Sequence, residues 1–185
     1  MGEQHKKHNR REHLNDFHLN VAGEYVYDGA LYACQNDDTK QRRSKRAVWG
    51  MAAILTVAVI AGGCIPAPGM QNCFYVLLPY LGEFLGAVSV IWALAKLGTD
   101  WSTVREYNYK KSVAVLPVRT AVTAVFSLLG VVCELIFFFV NDHAGQTFFA
   151  LLYVLLKLIA LLSVLVLRAE IMQAEWDKLP KKNNF

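Results

Sequence analysis

Few charged residues interrupt four long apolar runs, which lie at about 47–65, 73–97, 113–140 and 146–168. A soluble core does not use apolar runs this long, since about 20 such residues suffice to cross a bilayer. The short alternating segments of a transmembrane β-barrel are also missing. The pattern predicts an all-α integral membrane protein, because a helix satisfies its own backbone hydrogen bonds in lipid.

Catalytic and cofactor motifs are missing as well. The sequence contains no HExxH, no GxSxG, no nucleotide-binding loop and no repeated histidine set for haem or metal. The histidines of the first 20 positions match no standard zinc spacing. We therefore expect no enzyme activity, no cofactor, no metal site and no nucleic-acid partner.

Lysine and arginine are absent from the turns 66–72 and 141–145, and this absence predicts the orientation. Nine of these bases precede the first run, four lie in or beside the connection between the second and third runs, and four follow the last. By the positive-inside rule both termini are cytoplasmic. Short connections then predict a four-transmembrane-helix antiparallel bundle over 47–168, in a multi-pass protein of the cell membrane.

The segments outside the runs are polar. Residues 1–46 form a predicted polar cytoplasmic tail, and without an apolar core this tail is not a signal peptide. Asp28-Gly29 lies between two short β-prone runs and predicts a hairpin near 24–34. Residues 169–185 are expected to continue the last helix until Pro180 and to finish in a basic end.

A basic cluster directly precedes the first run and consists of Arg42, Arg43, Lys45 and Arg46. Its simplest role is the positive flank that fixes orientation. It also suits anionic lipid headgroups at the cytoplasmic face, with about 1 kcal/mol for each basic residue near the surface. The two interpretations are compatible.

Two of the four cysteines, Cys64 and Cys73, flank the first predicted outer turn. A disulfide persists on that side of a cell membrane. Short spacing alone does not provide the geometry of a bridge, so a disulfide and two free thiols are both open.

Three of the apolar runs each carry one charge deep inside them: Glu83, Glu134 and Lys157. On a helical wheel each charge shares a face with small and polar residues, which belongs toward other helices rather than lipid. At 1.5 Å per residue, Glu83 and Lys157 both lie at roughly 15 Å depth and Glu134 at roughly 10 Å. We predict that Lys157 pairs with Glu83, with Glu134 as the second, shallower partner.

This charged cluster has two interpretations, and the sequence leaves both open. It is either a structural device that fixes helix register or a site for an ion, a proton or a polar substrate. The corresponding functions are a subunit or scaffold of a membrane complex and, as the alternative, a small oligomeric transporter or ion-conducting protein. Partners are then the lipid bilayer and either another membrane protein or further copies of the chain.

Overall fold

A computed structural model describes residues 17–19, 23, 25–27, 29–98, 100–141 and 147–179. The helices in these ranges are α1 (Asp38–Cys64), α2 (Pro68–Asn72), α3 (Phe74–Leu97), α4 (Glu106–Lys111), α5 (Leu116–Val140) and α6 (Thr147–Met172). The strands are β1 (Phe17–Leu19), β2 (Tyr25–Tyr27), β3 (Leu31–Cys34), β4 (Val104–Arg105) and β5 (Trp176–Lys178). The described chain is mostly helical, and α1, α3, α5 and α6 are long and apolar enough to span a membrane.

Helix α1 begins at Asp38, before the apolar run that starts at Ala47. The intervening residues are rich in lysine, arginine and glutamine, which favour helix, and contain neither glycine nor proline. The Ser44 hydroxyl donates a 2.5 Å hydrogen bond to Glu170 on α6. Residues 38–46 are therefore held against α6 and form one continuous helix with the apolar run that follows.

The four long helices pack in pairs around a shared interior. α1 packs against α6, α5 packs against both α3 and α6, and a smaller contact joins α1 to α3. The short helix α2 contacts α3, α5 and α6 at one end of the long helices, which we call the α2 end. Because α3 and α6 lie across from each other in this arrangement, their side chains meet in the middle.

The polarity of the four helices is inverted relative to a soluble protein. Buried positions carry small or polar side chains, among them Ala87, Thr123 and Ser127. Bulky apolar side chains point outward instead, with Val57 and Leu85 both 67% exposed. A soluble protein rarely leaves so continuous an apolar surface uncovered. Small residues at the interior faces let helix backbones approach closely.

The strands form two small sheets, and their pairing differs from the predicted hairpin near 24–34. Strand β2 pairs antiparallel with β1, whereas β3 belongs to a second antiparallel sheet of order β4-β3-β5. β3 therefore bonds to the segment that follows α3 and to the segment that follows α6. The end of the long helices beside this second sheet is called the sheet end.

Aromatic packing at the sheet end explains why β3 takes these distant partners. The rings of Tyr32 and Tyr109 stack with centroids 4.2 Å apart, and Trp176 lies 5.8 Å from Trp101 and 5.9 Å from Tyr109. We call these four residues the aromatic layer. Aromatic contacts of this kind outweigh what a lone hairpin gains in water. For the same reason α6 ends at Met172 instead of continuing to Pro180, since Trp176–Lys178 pairs with β3 as strand β5.

Candidate functional site

The three charges predicted to lie inside the apolar runs are all buried in the structure. Glu83 on α3 and Glu134 on α5 are fully buried, and Lys157 on α6 is 2% exposed. The faces that carry them are also the buried faces of their helices. Those faces include Pro79, Ala87 and Val90 on α3, Thr120, Thr123, Ser127 and Gly130 on α5, and Ala150, Tyr153 and Ala160 on α6.

Lys157 and Glu83 form a buried ion pair, as their equal depths predict. The Lys157 ammonium group donates to Glu83 Oε2. The Ser127 hydroxyl donates to Glu83 Oε1 at 2.7 Å, so α5 supplies a second donor to the same carboxylate. A buried charge is tolerated when it is both paired and hydrogen-bonded. We call Glu83, Ser127 and Lys157 the polar centre.

Two tyrosine rings surround the Lys157 ammonium group. Its nitrogen lies 4.6 Å from the centroid of the Tyr80 ring and 5.1 Å from that of Tyr153. Aromatic faces attract a cation, and more strongly when water is excluded. The Tyr80 hydroxyl also donates a long 3.5 Å hydrogen bond to the Val59 carbonyl of α1. The polar centre is thereby connected to all four long helices.

Glu134 lies nearer to the α2 end and has different surroundings. Its carboxylate is in direct contact with Gly69 of α2, where a methyl group in place of the glycine hydrogen would overlap it. The same methyl group would lie 3.1 Å from Phe137 Cδ1. Gly69 is buried. A side chain at this position would require the Glu134 carboxylate to move, so α2 packs closely against that carboxylate.

Tyr153 on α6 belongs to the same buried region, because it packs with Phe137, which lies one turn after Glu134. Its side chain is fully buried, packs with Ala67, Val76 and Phe137, and interacts electrostatically with Glu134. Among the described residues its hydroxyl has no hydrogen-bond partner. A buried hydroxyl without a partner is uncommon, because desolvating it costs free energy. We call Glu134, Tyr153 and Gly69 the α2-end group.

The basic cluster lies at the sheet end, on the first turns of α1. Arg42, Arg43 and Arg46 are exposed, and the Lys45 ammonium group lies 5.8 Å from the centroid of the Trp101 ring. Nearby, Asp100 accepts hydrogen bonds from the Ser102 hydroxyl at 2.7 Å and the Ser102 N–H at 3.0 Å. These bonds lower the pKa of the Asp100 carboxyl. The sheet end thus combines an aromatic layer, of which Trp101 is buried, with a charged exterior.

All four cysteines are free thiols in the structure. Cys64 is exposed at the end of α1, and Cys73 is partly buried before α3. The bridge between them remains a prediction.

Sequence reasoning missed three features of the site. It gave Ser127 no role beyond the small and polar face that carries Glu134, although this hydroxyl bonds to Glu83. It treated residues 66–72 as a plain turn, whereas Pro68–Asn72 is a helix over Glu134. It also gave Tyr153 no role. Two signals for these features were available in the sequence. One is Gly69, which follows Pro66 and Pro68, and the other is Tyr153, which lies one turn before Lys157.

Comparison with protein-family models, characterised proteins and solved structures finds no match for this chain. Within the described ranges, no group of three or more histidine, cysteine, aspartate or glutamate side chains could hold a metal ion. The titratable groups that the structure brings together at the site are the Glu83 and Glu134 carboxylates, the Lys157 ammonium group and the Tyr80 and Tyr153 hydroxyls.

Proposed function

We propose that the chain is a multi-pass protein of the cell membrane that acts as a subunit or scaffold of a membrane complex. Four helices of spanning length support the membrane location, as do their outward apolar side chains. The absence of lysine and arginine from the turns 66–72 and 141–145 supports an up-down-up-down antiparallel bundle with both termini in the cytoplasm.

The observation that carries the subunit role is the ordered sheet end. Strand β3 of the tail, β4 of the middle connection and β5 after α6 come from three distant parts of the chain. Together they make one surface beside the exposed bases Arg42, Arg43 and Arg46. A structured surface at the membrane face suits the holding of a partner, whereas a conducting protein does not require one.

Reporter fusions test the topology. Fusions after Asn72 and after Asn141 are expected to read as external, and fusions after Asp100 and at the C-terminus as cytoplasmic. Mixed signals at any one of these points would contradict the four-span arrangement.

Purification in a mild detergent tests the subunit role. A protein at fixed stoichiometry is expected to accompany the wild type and to be lost from a variant with Arg42, Arg43 and Arg46 changed to glutamine. The matched control is Leu85→Ala, on the outward face of α3, which is expected to keep the partner. Equal thermal stability of all three proteins would show that the loss is not due to unfolding.

Anionic lipid headgroups are a second proposed ligand of the same bases. Each base near an anionic surface contributes about 1 kcal/mol, so the triple variant should bind vesicles rich in anionic lipid more weakly. Neutral vesicles provide the control, since they should not distinguish the two proteins.

Small oligomeric transport or ion conduction is the alternative function. The buried Glu134 carboxylate, which interacts electrostatically with Tyr153, favours it, because ionisable groups inside apolar helices often lie on ion pathways. A purified oligomer that moves ions into liposomes, with no associated protein, would support this alternative over the subunit role.

A further inference from the structure

Two lysines at the sheet end are held by aromatic side chains rather than by carboxylates. The Lys96 ammonium group, in the last turn of α3, lies 5.3 Å from the centroid of the Trp92 ring. The Lys111 ammonium group, in the last turn of α4, lies 4.2 Å from the centroid of the Tyr107 ring and donates a 2.6 Å hydrogen bond to its hydroxyl. In each pair the aromatic residue lies four positions before the lysine, so one helical turn orients the cation.

The two pairs lie on elements that pack together. Helix α4 contacts α3, and Tyr107 interacts electrostatically with both Lys111 and Lys96. We call Trp92, Lys96, Tyr107 and Lys111 the aromatic–lysine patch. Two cations in one region repel each other, and an anion that contacts both removes this repulsion.

The acids of this part of the chain are already engaged with other groups. The acidic side chains within residues 74–111 are Glu83, Asp100 and Glu106. Glu83 belongs to the polar centre, and Asp100 accepts its hydrogen bonds from Ser102. The Glu106 carboxylate lies 2.6 Å from the ammonium group of Lys110. Among the described residues, neither lysine of the patch forms a salt bridge, so the patch presents two positive charges without a carboxylate.

The patch lies where the apolar surface of α3 ends. Trp92 is 61% exposed and continues the outward row that includes Leu85 and Val88, and Lys96 follows it one turn later. Tryptophan and tyrosine favour the boundary between lipid tails and headgroups. A lysine near the end of a spanning helix extends its ammonium group from this boundary toward the headgroups. The anion that such a patch meets in a membrane is a lipid phosphate.

We propose that the aromatic–lysine patch binds the phosphate group of one anionic phospholipid. Lys96 and Lys111 contact the phosphate oxygens, and Trp92 packs against the adjoining part of the acyl chain. A lipid with an uncompensated phosphate suits two cations better than a zwitterionic lipid, whose own ammonium group repels them. The site rests on the proposed membrane location but not on the subunit role, and it is separate from the exposed arginines of α1.

Fluorescence quenching by brominated lipids tests the site in the full-length protein in bilayers. Bromine on the upper part of an acyl chain quenches an adjacent tryptophan, and the quenching that is lost in Trp92→Phe reports on this position. Brominated phosphatidylglycerol is expected to quench Trp92 at a lower mole fraction than brominated phosphatidylcholine. Lys96→Gln and Lys111→Gln should each weaken this preference about fivefold, the factor expected for one base near an anionic surface.

Lys110→Gln is the matched control, because it removes the same charge from the same helix but from a lysine that is paired with Glu106. It should keep the preference, as should the variant with the three exposed α1 arginines changed to glutamine. The double variant Lys96→Arg/Lys111→Arg keeps both charges and should retain most of the preference. Melting temperatures equal to that of the wild type would show that the variants are folded. Where one glutamine variant of the patch does not fold, the other makes the same comparison.

The possible failures are distinguishable. Equal quenching of Trp92 by the two lipids would overturn the proposed site and leave the membrane location intact, whereas no quenching by either lipid would contradict both. Equal losses in Lys110→Gln and Lys111→Gln would also overturn the site, because net charge would then set the preference. Inorganic phosphate should not displace the anionic lipid, and displacement would identify a site for free phosphate instead.

Discussion

The polar centre and the aromatic layer use opposite patterns of polarity within one short chain. At the polar centre, charges are buried and the surrounding helices turn apolar side chains outward. At the sheet end, Trp101 is buried and charged residues such as Arg42 and Asp100 lie at the surface. The polar centre thus buries charged groups behind an apolar surface, whereas the sheet end buries an aromatic ring behind a charged surface. The comparison shows that the helices carry an apolar surface around the polar centre and a charged surface around the aromatic layer.

The largest expected effect is that of Lys157→Met at the polar centre. Removing the ammonium group leaves Glu83 buried with one partner fewer, which should lower the free energy of unfolding by about 3–5 kcal/mol. Thermal or denaturant unfolding in mixed micelles measures it. Adding Glu83→Leu should recover most of the loss, since an apolar pair needs no counter-charge. A harmless Lys157→Met would show that the ion pair does not stabilise the fold.

Trp101→Ala should be next in size and should sharpen the contrast between the two regions. Deleting a buried tryptophan costs about 3 kcal/mol through lost packing, and the buried Trp101 N–H, which has no partner among the described residues, offsets part of that cost. Trp92, which is 61% exposed on α3, is the matched control and should be nearly neutral when changed to alanine. Equal losses at both tryptophans would contradict a packing role for the buried Trp101 side chain.

Ser127→Ala measures the contribution of α5 to the polar centre. Loss of a hydrogen bond to a charged carboxylate should lower the free energy of unfolding by about 2 kcal/mol. In the control Ser163→Ala, the hydroxyl that is lost bonds only to the Ile159 carbonyl of its own helix, so the change should be close to zero. A Ser163→Ala variant as damaging as Ser127→Ala would mean that general helix effects dominate.

Gly86→Ala should have the smallest effect, about 1–2 kcal/mol of destabilisation. The added methyl group would lie 2.5 Å from Thr123 Oγ1 and 3.3 Å from the Thr123 Cα, so backbone as well as side chain must move. Gly50→Ala on α1 is the control, because nothing lies within 4 Å of the new methyl group. Gly50→Ala should be neutral or stabilising by up to about 1 kcal/mol. Unfolding temperatures of the two variants measure the difference between Gly86→Ala and Gly50→Ala.

The sequence predicted the helical faces and the ion pair because both depend on local periodicity. Charges in an apolar run are rare, so Glu83 and Lys157 could be placed by counting residues along a helix of known rise. The same count placed Glu134 closer to the outer end of its helix. Thr120, Thr123, Ser127 and Gly130 repeat every three or four positions, which was enough to assign the buried face of α5.

The features that escaped prediction depend on contacts between distant segments. Nothing within Leu31–Cys34 specifies Trp176–Lys178 as a partner, so a local hairpin was the natural expectation. The stop of α6 at Met172 follows from that same pairing, whereas the early start of α1 accompanies the Ser44–Glu170 hydrogen bond. The contact between Gly69 and Glu134 could not be predicted either, because it depends on how α2 packs against α5.

The pairing of β3 with β5 has a consequence for the order of assembly. β3 is synthesised before the first long helix and β5 after the last, so nearly the whole chain must be made before they can meet. Closing so long a loop is slow and occurs only when the intervening helices have shortened the distance between its ends. We therefore expect the β3–β5 pairing to form last in biogenesis, and a chain truncated before Trp176 to keep only β4 as a partner for β3.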